Sequence, residues 1–171
     1  MLCNFFARTV SYSNAYLVLR DSRMKFILST AAFLLCLVIS AFAGENLKLN
    51  PHLDFNSDSQ DGPLITGDKM EAGFIAGTPA YVIMYGEGCF NSKRQARRTV
   101  DMYAKYKGQV QFIVIDIDRY LSSAQSSLKK QYFHGRIPHV VVLDRSGTAV
   151  YNRSGEVDST VISGLLDQAL R

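Results

Sequence analysis

Apolar and polar residues are distributed along the chain in blocks of differing period. Tyr81, Val82, Ile83, Met84 and Tyr85 run without interruption between Pro79 and Gly86, which predicts a strand buried on both faces, since an exposed face would need polar residues at alternate positions. From Asn91 to Tyr106 the period becomes helical. Ala96, Val100, Tyr103 and Ala104 share one side, Lys93, Arg94, Arg97 and Arg98 take the other, and Gly108 supplies the stop. Val110, Phe112, Val114 and Ile115 predict a second strand ending at Asp116 to Asp118, and Ser122 to Tyr132 a second helix with serine caps. Val140 to Leu143 is a third apolar strand. It turns at Ser146 and Gly147 into a short strand at Ala149 to Tyr151, making a hairpin. Ser159 to Leu170 closes the chain as an amphipathic helix, with Val161, Ile162, Leu165, Leu166 and Ala169 inward and Asp158 or Ser159 as cap. Strand-helix-strand units followed by a hairpin and a helix predict an α/β domain over residues 78–171, with a mixed central sheet and helices on both faces.

Upstream, Gly44 to Gly77 is rich in Asn, Asp, Ser and Gly and has no sustained apolar period. It reads as a polar tether over residues 44–77, with one short helix around Asp68 to Ile75. Before it, Met24 and Lys25 lead into an uncharged apolar run from Phe26 to Phe42, and Ala41-Phe42-Ala43 is a small-x-small site. Residues 24–43 thus have the layout of a secretory signal peptide, with residues 1–23 as a mis-assigned start or a cytoplasmic extension. A short membrane anchor is the alternative. Either way the basic flank stays inside and the domain is placed in the periplasm or secreted, with membrane contact only if the leader is uncleaved. Cys36 follows bulky Leu35, which argues against a lipoprotein site.

Composition narrows the picture in two respects. With 47% hydrophobic and 20% charged residues, the 171-residue chain is that of a folded protein. Its net charge of +4 is concentrated in residues 1–43, where Arg8, Arg20, Arg23 and Lys25 oppose Asp21 alone, so the remainder carries +1. A near-neutral domain gives no reason to expect a nucleic-acid partner. Of three cysteines, Cys3 and Cys36 precede the cleavage site, which leaves Cys89 without an internal disulfide partner.

The segment Tyr85-Gly86-Glu87-Gly88-Cys89-Phe90-Asn91-Ser92-Lys93 after a buried strand, and Gly135-Arg136-Ile137-Pro138 before a second strand and a Ser-Gly hairpin, together resemble the thioredoxin-like family. The resemblance runs from Thr78 to Arg171. It implies that Cys89 takes the nucleophile position, Ser92 the resolving position, and Pro138 that of the cis-proline facing the thiol, with Ile137 offering its backbone to an extended peptide. Three departures stand out: Ser92 replaces the second cysteine, Gly88 replaces the usual tryptophan, and Ile83 stands where a buried acid is expected. Cys-x-x-Ser is also similar to monothiol glutaredoxins, which use glutathione and carry a different loop.

A cysteine at a helix start meets unsatisfied N–H groups and the positive end of the dipole, which favours the thiolate, and Lys93 in the next turn adds to that. Ser92, at i+3, faces the same side and can donate a hydrogen bond to it. The competing reading has Cys89 as a small hydrophobe covered by Phe90 and Tyr85. Lys93, Arg94, Arg97 and Arg98 read as a solvated helix face, and His139 as packing away from the site, with His134 the other nearby histidine. Asp116 and Asp118 have no His or Cys at ligand spacing, so no metal and no cofactor is expected. The leading expectation is an exported protein acting on protein or peptide thiols and disulfides through Cys89. A redox-inactive binding module is the rival, and a peroxide-reactive thiol protein ranks third, since no activating Thr and Arg arrangement surrounds Cys89.

Overall fold

The computed structural model describes residues 43–60 and 62–171. The leader and its anchor alternative, apart from Ala43, lie outside these residues, as do Cys3 and Cys36. Among the described residues no helix is long and apolar enough to cross a membrane.

In chain order the elements are β1 (Glu45–Leu49), β2 (Ile65–Asp68), β3 (Ala80–Tyr85), α1 (Phe90–Tyr106), β4 (Gln111–Asp116), α2 (Ser123–Tyr132), β5 (His139–Leu143), β6 (Ala149–Ser154) and α3 (Ser159–Ala169). The main sheet runs β4-β3-β5-β6. β3 pairs parallel with β4, placing Tyr85 opposite Asp116, and antiparallel with β5, placing Met84 opposite His139. The apolar run of β3 is buried at all six positions because the sheet is covered twice. Tyr81, Ile83 and Tyr85 pack with Ala96, Met102 and Tyr106 of α1 and Ile162 and Leu166 of α3. Ala80, Val82 and Met84 pack with Leu128 and Tyr132 of α2 on the other face. The expected mixed sheet with helices on both faces is therefore present.

Two expectations are corrected. Residues 44–77 are not a tether: β1 and β2 pair antiparallel, with Lys48 opposite Thr66 and Leu49 opposite Ile65, and Leu47, Phe55, Leu64 and Ile65 enter the core beside α1. The Tyr85 hydroxyl fixes this layer by accepting from Leu64 N (3.2 Å) and Ile65 N (3.4 Å). Gly44, at φ +59°, lies so close to β4 that a Cβ there would stand 2.1 Å from the Phe112 carbonyl oxygen, a position closed to any side chain. Nor does a helix form around Asp68 to Ile75. Its backbone is used elsewhere: Met70 O accepts from Gln125 Nε2, Glu71 O from Ser122 Oγ, and Ile75 N donates to Gln111 Oε1.

The seating of α1 also differs from the apolar period. Its buried residues are Ser92, Lys93, Gln95, Ala96, Thr99, Met102 and Tyr106, while Ala104 is exposed. The inner stripe is largely polar, and apart from Ser92 its polar groups have partners inside. Gln95 Nε2 donates to Tyr81 Oη (3.2 Å), Tyr81 Oη and Thr99 Oγ1 lie 3.0 Å apart, Thr99 Oγ1 donates to the Gln95 carbonyl (2.9 Å), and Val157 N donates to Gln95 Oε1 (2.8 Å). Buried polar groups satisfied in this way avoid the desolvation cost that unpartnered ones incur.

Candidate functional site

The fold brings two turns distant in sequence to one end of the sheet: Gly86–Cys89 between β3 and α1, and Ile137–Pro138 before β5. A Cβ on Gly86 would stand 2.6 Å from Ile137 Cδ1 and 3.2 Å from Asp118 Oδ2, so the two turns are in side-chain contact. The Ile137–Pro138 peptide is cis. The Pro138 carbonyl accepts from Gly155 N (2.7 Å), and the backbone N–H and C=O of Ile137 have no partner among the described residues.

Cys89 is the N-cap residue of α1. Its backbone is extended, its side chain makes no cap bond, and its carbonyl accepts from Lys93 N at 3.0 Å. It is half-buried and unpaired. The next residue, Phe90, is exposed with Arg94 5.1 Å above its ring, so Phe90 does not seal the thiol.

Ser92 is fully buried in the polar stripe of α1, and its Oγ has no hydrogen-bond partner among the described residues, Cys89 included. A hydroxyl in that state costs stability relative to a hydrocarbon of similar size. Ser92→Ala is accordingly expected to be neutral or stabilising by up to about 1 kcal/mol in urea unfolding. A loss greater than that would mean the hydroxyl is bonded in solution.

Lys93 departs most from expectation. It is 1% exposed, buried rather than on the solvent face. Its ammonium donates to the carbonyls of Asp54 (2.6 Å), Ser57 (2.7 Å) and Ser59 (2.8 Å), with Ser59 Oγ at 3.2 Å. An ammonium has three N–H donors, and three backbone acceptors satisfy them. The other basic residues of α1 do line the solvent side, where Arg94 and Arg98 both pair with Glu156 and Arg97 donates to Asn56 Oδ1.

The segment that receives Lys93 also reaches the thiol corner. Asp58 Oδ1 accepts from Phe90 N at 2.8 Å, supplying the helix-start cap that Cys89 does not. A Cβ on Gly88 would stand 3.3 Å from the Asp58 carbonyl oxygen and 3.6 Å from Gln60 Cβ. Both chain neighbours of Cys89 are thus in contact with residues 58–60.

Behind the corner lies a group of carboxyls. Glu87 is 4% exposed and pairs with Arg119 Nε at 2.5 Å, while Glu87 N donates to Asp118 Oδ2 and Asp118 N to Asp116 Oδ1. Burial pushes the Asp116 carboxyl up to about 7, and the charge and side-chain hydrogen bond of Glu87 add to this against the Asp118 N–H. Asp116 Oδ2 has no N–H or O–H donor among the described residues. Asp116 lines a pocket of about 140 Å³ with Ile65, Met70, Tyr85, Arg119 and Gln125, and Cys89 is not part of it.

His139 is buried and faces away from the thiol corner toward β6, with Nε2 2.6 Å from Asn152 Oδ1 and Nδ1 2.8 Å from Ser154 Oγ. The amide oxygen can only accept, so Nε2 carries the hydrogen and the neutral ring fits both partners. Burial holds its pKa below the usual histidine value. His134 is exposed and stacks edge-on against it. Among the described residues no group of three His, Cys, Asp or Glu side chains is placed to hold a metal.

Of the residues the sequence singled out, Cys89, Ile137 and Pro138 come to one end of the sheet, and Ser92 lies beneath in the core. Asp58 and the path of Lys93 carried no signal. Asp116 did carry one, since it continues the alternation of Phe112 and Val114 and so had to face the core they face.

No family model and no curated protein matches the sequence. Among solved structures, one described as "Structure of a malarial protein" is similar to 55% of this chain over 99% of its own, at 16% identity and a TM-score of 0.46. Another, described as "Structural insights into thioredoxin-2: a component of malaria parasite protein secretion machinery", is similar to 53% of this chain over 82% of its own, at 15% identity and a TM-score of 0.46. Identities this low carry no functional residue across.

Proposed function

We propose that this chain is an exported, thioredoxin-like protein that acts in thiol-disulfide exchange through Cys89. The observation that carries the reading is the placement of a half-exposed, unpaired thiol at the start of α1, at the same end of the sheet as the unpartnered backbone of Ile137. An extended partner chain can pair with that backbone and present its disulfide to the thiol. The Cys89 thiolate attacks one partner sulfur, a Cys89–partner disulfide forms, and the second partner sulfur leaves as a thiolate that takes a proton from solvent. Ser92 cannot reverse the step, so release falls to a second thiol, on the partner or free in solution. No cofactor enters.

The test uses the full chain with Cys3→Ser and Cys36→Ser. Iodoacetamide labelling of native Cys89 at a rate within about tenfold of the urea-unfolded chain, together with loss of mixed-disulfide products in Cys89→Ser, is the expected result. Labelling that waits for unfolding would sink the reading. It would leave the binding module in its place, a role favoured by the contact of residues 58–60 with both neighbours of Cys89.

A further inference from the structure

The segment Asp54–Gln60 is held at three points. Phe55 is buried in the core with Arg97 5.5 Å from its ring, Lys93 Nζ gathers the carbonyls of residues 54, 57 and 59, and Asp58 Oδ1 accepts from Phe90 N. Lys93 is the centre of this arrangement. A buried ammonium without a carboxylate is costly to place, and the three carbonyls offset that cost only when the segment curls around it in this one shape. The result is a turn whose far end, Asp58 and Gln60, rests on Gly88 and Phe90.

We propose that this segment is the specificity wall of the Cys89 site and that Lys93 is the residue that positions it. The inference rests on the thiol-exchange reading above. Residues 58–60 touch the chain on both sides of Cys89, at Gly88 and Phe90, and Ile137 touches it at Gly86. A disulfide on a narrow, extended segment enters between them. A disulfide set flush in the surface of a folded domain meets the wall before its sulfur meets the thiol. The partner class is therefore an unfolded or extended chain carrying an exposed disulfide, and rejection of folded-surface disulfides is built into the site rather than left to the partner.

The experiment compares two substrates that carry the same thionitrobenzoate mixed disulfide, one on a cysteine in an unstructured peptide and one on a surface cysteine of a small folded carrier domain. Release of thionitrobenzoate by the full chain with Cys3→Ser and Cys36→Ser gives the two rates. The wild-type ratio of peptide to carrier rate is expected to exceed about tenfold. Lys93→Met, which removes the tie to the three carbonyls, and Asp58→Ala, which removes only the tie to Phe90 N, are each expected to lower that ratio several-fold. The Asp58 variant covers the case in which the Lys93 variant fails to fold, and far-ultraviolet circular dichroism identifies that case. A ratio that is already near one in the wild type, or that stays unchanged in every folded variant, overturns the wall while leaving thiol exchange intact. No release from either substrate removes the thiol-exchange reading, and the wall with it.

Discussion

A chain beginning at Thr78 is expected not to reach a cooperative native state, although it contains every element that the thioredoxin-like resemblance covers. Removing residues 44–77 takes Leu47, Phe55, Leu64 and Ile65 out of the core. Each buried side chain of this size contributes about 1.5–3 kcal/mol, so the four together are on the order of 6–12 kcal/mol before the entropy of ordering the segment is set against them. That is comparable to the whole stability of a domain this size, about 5–15 kcal/mol. The loss also removes the carbonyls that hold the Lys93 ammonium and leaves the Tyr85 hydroxyl without Leu64 N and Ile65 N. The check is urea unfolding followed by circular dichroism and by tyrosine fluorescence. A truncated chain with a single sharp transition near that of the intact protein would restore the tether.

The second large effect concerns pH. Asp116 is raised from 3.8 to about 7 in the folded protein, first by burial, so folding takes up a proton wherever the unfolded carboxyl has lost its own. Its contribution is neutral below about pH 4, becomes unfavourable as pH rises toward 7, and stays unfavourable above. At 1.36 kcal/mol per unit the ceiling is about 4 kcal/mol. The wild type is expected to lose about 2–3 kcal/mol between pH 5 and pH 8. Asp116→Asn keeps the shape without a titrating proton, and should flatten that loss and be the more stable protein at pH 8. His139 acts with the opposite sign: its folded pKa lies below 6.5 because of burial, so its contribution is complete above 6.5 and lost as pH falls. Comparing the variant with wild type at each pH cancels it. Equal slopes in the two proteins would mean that Asp116 is ionised throughout.

Most of the sheet was legible because its strands are buried on both faces and read as plain apolar runs, as in Tyr81 to Tyr85 and Val140 to Leu143. That Cys89 and Pro138 flank one end of the sheet followed from the thioredoxin-like resemblance and not from any period in the chain. The first layer was not. Its four buried apolar residues are spread from Leu47 to Ile65, its strands are five and four residues long, and Asn46 and Lys69 take positive φ, so no period accumulates. The inner stripe of α1 was misread for a related reason. Gln95 and Thr99 are polar by composition and buried by partnership, and their partners, Tyr81 and Val157, are distant in sequence. Lys93 reads as a solvent cation until the carbonyls 34 to 39 residues upstream are placed around it.

The polar stripe of α1 has a further effect. A helix with a wholly greasy underside can roll about its axis and find several seats of nearly equal energy, as loosely specified cores do. Here a roll of one residue would strand Gln95, Thr99 and Tyr81 together, and the Lys93 ammonium with them. The helix is keyed to a single rotation, and because Cys89 stands at its first cap, the same key sets the compass bearing of the sulfur.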